Sequence, residues 1–345
     1  MHLAGIRLGH ALFALASALR WMLHRRLQMP GERYRGALPP ESGEQRRLRG
    51  ELEQDLDHLA GEIGPRCVER YHAYERARAW IGERLRAAGW QPVEQVYASR
   101  GGHAVANIIA ERRGHLRPER ILIIGAHYDT IEVSPGANDN GTGVAALLAL
   151  ARRLPTDPAV TLRLVAYANE EPPAFQTEDM GSLVHARSCR SAGEQVVGVL
   201  VLETLGCFSQ RRGSQRFPIP ALRHLYGDRG DFVAFVGTTQ SGSFVRRCVE
   251  RFRAHARIPG EGACLPAALP GAGWSDHWAY ARVGYAACML TDTAPFRYPH
   301  YHTPADTVDK IDFRRLALVV AGVAAAVHDL LLQAAAGHQT AAKLK

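Results

Sequence analysis

Glu170 and Glu171 stand side by side at the end of the apolar run "TLRLVAY" and are followed by Pro172 and Pro173. Adjacent residues on a strand point to opposite faces, and neighbouring carboxylates raise each other's pKa, so the pair needs a physical reason. Two other apolar runs end in the same manner. "ILIIGA" delivers His127-Tyr128-Asp129, and "VVGVLVL" delivers Glu203. Asp139 lies in "GANDNGTG", whose glycines permit the tight turn that a crowded carboxylate requires, and His302 lies in "YHTPADT". Taken singly, each has an ordinary reading: His127 a hydrogen-bonded structural imidazole, Asp129 a turn closer, Asp139 a helix cap or turn residue, Glu203 an ion-pair partner, His302 a loop residue. Taken together, the carboxylates would repel one another and destabilise a fold without a cation among them. Imidazole and carboxylate are the donors that zinc takes at about 2.0–2.2 Å. Two Zn²⁺ ions would balance Asp139, Glu171, Glu203 and one hydroxide, leaving Glu170 over as a base.

Such a set has to be carried by elements that bring strand ends to one edge. Leu48, Leu52, Leu56, Leu59 and Ile63 recur at three- and four-residue steps and predict an amphipathic helix. A second helix is predicted over 69–88, stopping at Gly89. Short β-rich runs follow: "VEQVYA", "HAVANIIAE", "ILIIGAH", "TLRLVAYA", "VVGVLVLE", "FVAFVG" and "AACMLT". Several are apolar throughout, as strands buried on both faces are. Helical patterns at 141–154 and 241–256 lie between them. A last one, at about 312–335, is interrupted by His328 and Asp329, which suits a core helix better than a membrane span. The alternation predicts an α/β fold, a three-layer sandwich whose mostly parallel (mixed) central sheet is flanked by helices. In such sheets function gathers at the carboxyl ends of the strands.

The chain of 345 residues, 46% hydrophobic and 22% charged, suits one large domain over residues 46–345 behind a basic N-terminal segment and linker, residues 1–45. The net charge is +8, but nine arginines against three acids in the first fifty residues account for +6 of it. Only Lys310, Lys343 and Lys345 among the 42 basic residues are lysines, a ratio that reflects coding bias more than a binding surface. With no basic motif interleaved with aromatics, nucleic-acid binding is not expected. "ALFALASAL" (11–19), flanked by Arg7, Arg20, Arg25 and Arg26, is shorter than the roughly 20 residues of a spanning helix. It fits a signal peptide cleaved near Ala16-Ser17-Ala18, a basic amphipathic segment associated with a membrane surface, or a frayed helix. On balance it favours the cell envelope over the cytoplasm. Residues 27–44 read as a linker. Cysteines 67, 189, 207, 248, 264 and 288 show neither CxxC nor CxxH spacing, so they read as thiols rather than ligands, with room for one disulfide in an exported protein.

In order along the chain, "GAHYDT" (125–130), "GANDNGTG" (136–143), "NEEPP" (169–173), "VLVLETLG" (199–206), "SDH" (275–277) and "YHTPADT" (301–307) resemble the co-catalytic di-zinc aminopeptidases, metallopeptidase family twenty-eight. The resemblance covers most of residues 100–312. It implies two zinc ions per chain, with His127 and Glu203 on one, Glu171 and His302 on the other, and Asp139 bridging both. Glu170 would be the general base, Asp129 would hold the second nitrogen of His127, and Tyr301 would polarise the substrate carbonyl. The implied reaction is zinc-dependent hydrolysis of a peptide or aminoacyl-amide substrate, as in an aminopeptidase.

Two features depart from that pattern. The family usually has aspartate where this chain has Glu203, whose extra methylene adds about 1.5 Å of reach. Related carboxypeptidase-like di-zinc hydrolases use glutamate there, but they place the bridging aspartate much farther from the HxD motif and insert a lid domain. "PPAFQTED" (172–179) is longer than the family's usual passage from the glutamate pair to Gly181-Ser182, and is expected on the rim of the cleft. Two alternatives share the fold: a glutaminyl-cyclase-like acyltransferase working with one zinc, and a non-catalytic binding domain. Relatives of the second kind typically lose ligands, whereas each position here still holds a competent one.

Overall fold

The Ser42 side chain accepts a hydrogen bond from the Gln45 N–H, and the Gln45 side chain accepts one from the Ser42 N–H. This capping box starts helix α1, Gly43–Leu56, which continues as a wider coil over Asp57–Ile63. Its leucines at 48, 52, 56 and 59 are buried, as their spacing predicts. The computed structural model describes residues 27–337, so the expectations for the basic apolar run near the N-terminus lie outside the described residues.

After α2, Tyr71–Ala87, come β1 (Pro92–Ala98), β2 (Ala104–Arg112) and β3 (Arg117–His127). Then follow α3 (Gly143–Ala151), β4 (Val160–Tyr167), α4 (Gly181–Ser191) and β5 (Gln195–Glu203). The chain continues through β6 (Val233–Thr238), α5 (Gly242–His255), β7 (Gly260–Leu265), α6 (His277–Arg282), β8 (Ala287–Thr291) and α7 (Phe313–Ala336). The strands form one sheet in the order β1-β2-β4-β3-β5-β8-β6-β7. The neighbours β4-β3-β5-β8 run parallel, whereas β1, β2 and the β6/β7 pair join them antiparallel. The sheet is therefore mixed, with a parallel centre whose carboxyl ends share an edge. Strand β7, "GEGACL", is not evident from sequence because it lacks β-branched residues; pairing with β6 makes it a strand.

Helices α1, α2, α3, α5 and α7 share the larger core on one face. On the other, Ile121, Ile123, Val165, Val199 and Val201 pack with Ala186 of α4 and Tyr280 of α6. Helix α7 is long and apolar enough to cross a membrane, but it packs on α5 and α1 with Leu316, Val319, Val320, Val323 and Val327 buried, as a core helix does. The segment from residue 27 to about 39, expected as a linker, instead lies along the domain. The Arg253 guanidinium donates to the carbonyls of Met29, Pro30 and Gly31 at 3.0, 3.2 and 3.1 Å, and Arg33 pairs with Asp231 and Glu261. All six cysteines are free thiols.

Because Leu52 is fully buried where α1 meets the rest of the core, Leu52→Ala should lower the unfolding free energy by about 2–4 kcal/mol. Urea unfolding monitored by circular dichroism measures it; a change below about 1 kcal/mol would mean that α1 is not part of the cooperative core.

Candidate metal centre

His127 closes β3, Glu203 closes β5, and Glu170 and Glu171 follow β4 by a short turn, so three neighbouring parallel strands present them at one edge. Asp139 enters from the turn before α3, and His302 from the loop before α7. The chain bends sharply at these points. Asn169, Thr204 and His302 all take left-handed backbone angles, with φ of 53°, 47° and 57°. Non-glycine residues adopt that region at a cost of about 1–3 kcal/mol each, which the surrounding bonds must offset.

Two triads result, sharing Asp139. In the first, the His127 Nε2 lies 3.4 Å from Asp139 Oδ1 and 3.2 Å from Glu203 Oε2. In the second, the His302 Nε2 lies 3.0 Å from Asp139 Oδ2 and 3.3 Å from Glu171 Oε2. Glu170 belongs to neither, its Oε2 standing 3.9 Å from His127 Nε2. Tyr301 stacks on the His302 ring at 3.9 Å. The longer Glu203 side chain reaches the first triad from the end of β5 and accepts a 2.7 Å hydrogen bond from the Ser275 hydroxyl.

The triads fit zinc. Tetrahedral ligands at about 2.0–2.1 Å from an ion lie roughly 3.3 Å from one another, close to the separations above. Asp139 Oδ1 and His302 Nε2 are buried without a well-formed hydrogen bond, as donor atoms reserved for a metal would be.

The electrostatics state the same need. Burial pushes the Glu170 carboxyl well up, and Glu171 and Glu203 add to this against the pull of His127. Burial and Asp139 push Glu171 up to about 7, and burial likewise raises Glu203. Burial would lower both imidazoles, but Glu203 and Glu170 hold His127 well above its ordinary range, and Asp139 and Glu171 hold His302 at about 10. The acids thus draw positive charge onto whatever sits among them, a role that metal cations fill in place of protons.

Several of the hydrogen bonds that shape the site are not evident from sequence. Both Asp129 carboxylate oxygens accept backbone N–H groups, from Glu170 at 3.0 Å and Glu171 at 2.9 Å, which fixes the glutamate pair. The His127 Nδ1 lies nearer the Asp129 carbonyl (3.2 Å) than its carboxylate (3.5 Å). Asp306, within "YHTPADT", accepts the Asn138 and Asp139 N–H groups at 2.8 and 3.0 Å and the Tyr298 hydroxyl at 2.8 Å. Asn140 ties the Asp139 turn to the end of β5, donating to the Leu202 carbonyl at 2.9 Å and accepting the Thr204 N–H at 3.1 Å. Arg66 is fully buried, and its guanidinium donates to four carbonyls: Tyr128 at 2.6 Å, Pro135 at 2.7 Å, Gly136 at 3.0 Å and Gly64 at 3.2 Å. Burial lowers its pKa to about 10 despite Asp129, Asp306, Asp139 and Glu171 nearby, so its charge persists beneath the site. Nothing in "IGPRC" signals that role. In the 172–179 segment, Phe175 packs on Met180, Leu183 and Ala279, and Gln176 donates to the Gly273 carbonyl at 2.9 Å, joining the loop that leads to Ser275.

Comparison with known proteins follows the same lines. The sequence model of peptidase family M28 matches residues 107–327. The chain is 36% identical over 282 residues to the uncharacterized protein YfbL of Escherichia coli (strain K12), covering 79% of this chain and 85% of that one. Among solved structures, BSAP, a zinc aminopeptidase from Bacillus subtilis, is similar with a TM-score of 0.63 at 15% identity, over 86% of this chain and 96% of that one. A glutaminyl cyclase from Bacteroides thetaiotaomicron is similar with a TM-score of 0.60 at 15% identity, over 85% and 99%. At such identities the likeness is one of fold, and the fold accommodates both chemistries.

Because Asp139 is shared by both triads, Asp139→Asn should abolish the rise in melting temperature that Zn²⁺ gives the metal-stripped wild type. Glu203→Gln, which touches one triad, should retain part of it. Differential scanning fluorimetry across a Zn²⁺ titration checks this; an unchanged rise in Asp139→Asn would place the metal elsewhere.

Proposed function

The chain belongs to peptidase family M28 and is a metallopeptidase; from the geometry of its site we propose that it is an aminopeptidase that uses two zinc ions. The observation that carries this reading is the position of Glu170. It lies against the His127 triad without being part of either ligand group. A carboxylate beside a metal cluster but outside its ligand sets is free to handle protons.

In this reading His127, Asp139 and Glu203 hold one ion, and Asp139, Glu171 and His302 the other. Bound zinc supplies Lewis acidity, lowering the pKa of a water to about 7 and stabilising negative charge on a carbonyl oxygen. Glu170 takes a proton from the attacking water; burial, with Glu171 and Glu203 beside it, raises its proton affinity above that of an ordinary carboxylate. The same carboxyl then returns that proton to the nitrogen of the departing amine, so the amide C–N bond breaks as an amine is released. Asp129 holds both glutamates by their backbone N–H groups, which keeps the base and the neighbouring ligand from exchanging places. Tyr301, stacked on His302, is positioned by that ring to offer its hydroxyl to a substrate carbonyl.

A cyclase on this scaffold would work with one zinc, and the two complete triads favour two. The binding-domain alternative leaves a full ligand set and a buried base without a task. We place the protein at the cell envelope on the strength of the basic, apolar residues 1–26 alone, and that segment also supplies the proposed membrane association.

Glu170→Gln should lower kcat on aminoacyl-anilides by about 10²–10⁴-fold with two zinc ions still bound, whereas Glu171→Gln should bind one fewer. Plasma emission spectrometry beside steady-state kinetics separates the two roles; equal metal loss in both variants contradicts the division. Wild-type enzyme should cleave anilides and leave N-terminal glutamine peptides uncyclised. One zinc per chain with cyclisation would establish the cyclase instead.

A further inference from the structure

Glu203 borders the His127 triad and also the opening of an apolar groove. The strand register places Glu203 beside Thr291 of β8, Thr291 beside Ala234 of β6, and Ala234 beside Glu261 of β7. Strands lie about 4.8 Å apart, so these three steps carry the row roughly 14 Å across the sheet. Glu203 is in step with Val199 and Val201, so the row lies on the sheet face that α4 and α6 cover farther along. Over β8, β6 and β7 the cover changes from helix to loop. Ala234, Ala263 and Met289 floor the resulting groove, and Phe217, Leu222 and Phe296 help to roof it.

The groove is built. The buried Arg297 guanidinium donates to Gln215 Oε1 at 2.8 Å, to the Phe232 carbonyl at 2.8 Å and to the Cys207 carbonyl at 3.1 Å, fixing the roof loop at three points. The Arg216 N–H bonds the Phe296 carbonyl at 2.9 Å and joins the two halves of the roof. At the far end Glu261 is held by Arg253 at 2.9 Å and Arg33 at 3.0 Å, so its charge is already matched and the groove stops there.

Length and polarity decide what fits. A leucine side chain reaches about 4 Å from Cα and a phenylalanine about 6.5 Å, so the first leaves about two thirds of the groove empty and the second about half. A peptide backbone laid along it would leave N–H and C=O groups facing apolar walls. An extended alkyl chain advances about 1.25 Å per carbon and has no polar group to satisfy, so about eight carbons fill the roughly 10 Å that remains once van der Waals contact takes about 2 Å at each end. Each methylene buried there is worth roughly a fourfold gain in affinity.

We propose that this groove takes an unbranched hydrocarbon chain of about six to ten carbons on the carbonyl side of the scissile bond, so that the preferred substrates are lipid-like amides. The proposal rests on the amide-hydrolysis reading of the preceding subsection.

It is tested with 2-aminoalkanoyl anilides bearing linear side chains of four, six, eight and ten carbons beside the leucyl anilide. In parallel, binding of butyl-, hexyl-, octyl- and decylamine to the full chain is measured by titration calorimetry. The expected result is that kcat/KM and amine affinity both climb through about eight carbons. Ala234→Leu, which puts a branched side chain about two thirds of the way along the floor, should pull both optima back to about four carbons, and Ala263→Leu serves as a second plug should the first fail to fold. An optimum at leucine with no gain in amine affinity beyond four carbons overturns the groove. Chain-length-dependent amine binding without hydrolysis of any anilide upholds the groove and overturns the hydrolase reading.

Discussion

Four carboxylates, those of Asp139, Glu170, Glu171 and Glu203, are buried together at one edge of the sheet with two imidazoles among them. Left to themselves they repel, and burial makes each charge more expensive than in water. Much of the surrounding structure answers that single constraint. Arg66 keeps beneath the site a guanidinium that donates to backbone carbonyls, so its charge is not cancelled by a direct partner. Asp129 and Asp306 are themselves acids, yet their carboxylates accept backbone N–H groups and so orient the turns that carry Asp139, Glu170 and Glu171. Ser275 donates to Glu203 from a third loop.

The sheet makes this convergence possible. Parallel neighbours β4, β3 and β5 bring their carboxyl ends to the same line, and the left-handed residues Asn169 and Thr204 turn the chain immediately beside the glutamate pair and Glu203. Asn140 links the Asp139 turn to β5, so the two triads are braced against each other as well as against the strands. On the same face, the row that starts at Glu203 continues across β8 and β6 to Glu261. The chemistry and the groove therefore depend on one strand register.

The parts legible in sequence are those governed by short-range pattern. Apolar runs ending in His127, Glu170 and Glu203 could be recognised as buried strands with polar tips, and the alternation with helices indicated an α/β sandwich. Its mixed sheet with flanking helices, and its likeness in fold to a solved zinc aminopeptidase, agree with that expectation. What stayed hidden depends on distance along the chain. Arg66 lies far in sequence from the turns it braces, and an arginine after Gly-Pro carries no mark of burial. Asp306 stood in a quoted motif, but its hold on residues 138 and 139 is a contact across the fold. Strand β7 needed its partner to become a strand, and the proline- and glycine-rich stretch read as a linker is fastened by Arg253, a residue more than two hundred positions away.

The central claim is that the crowded acids are a two-ion site with Glu170 standing outside both ligand sets. Crystals of the protein grown with zinc and measured on either side of the zinc absorption edge test it most directly. The account predicts two anomalous peaks, one among His127, Asp139 and Glu203 and one among Asp139, Glu171 and His302, with Glu170 coordinating neither. A single peak, or a peak coordinated by Glu170 in place of Glu171, would contradict it.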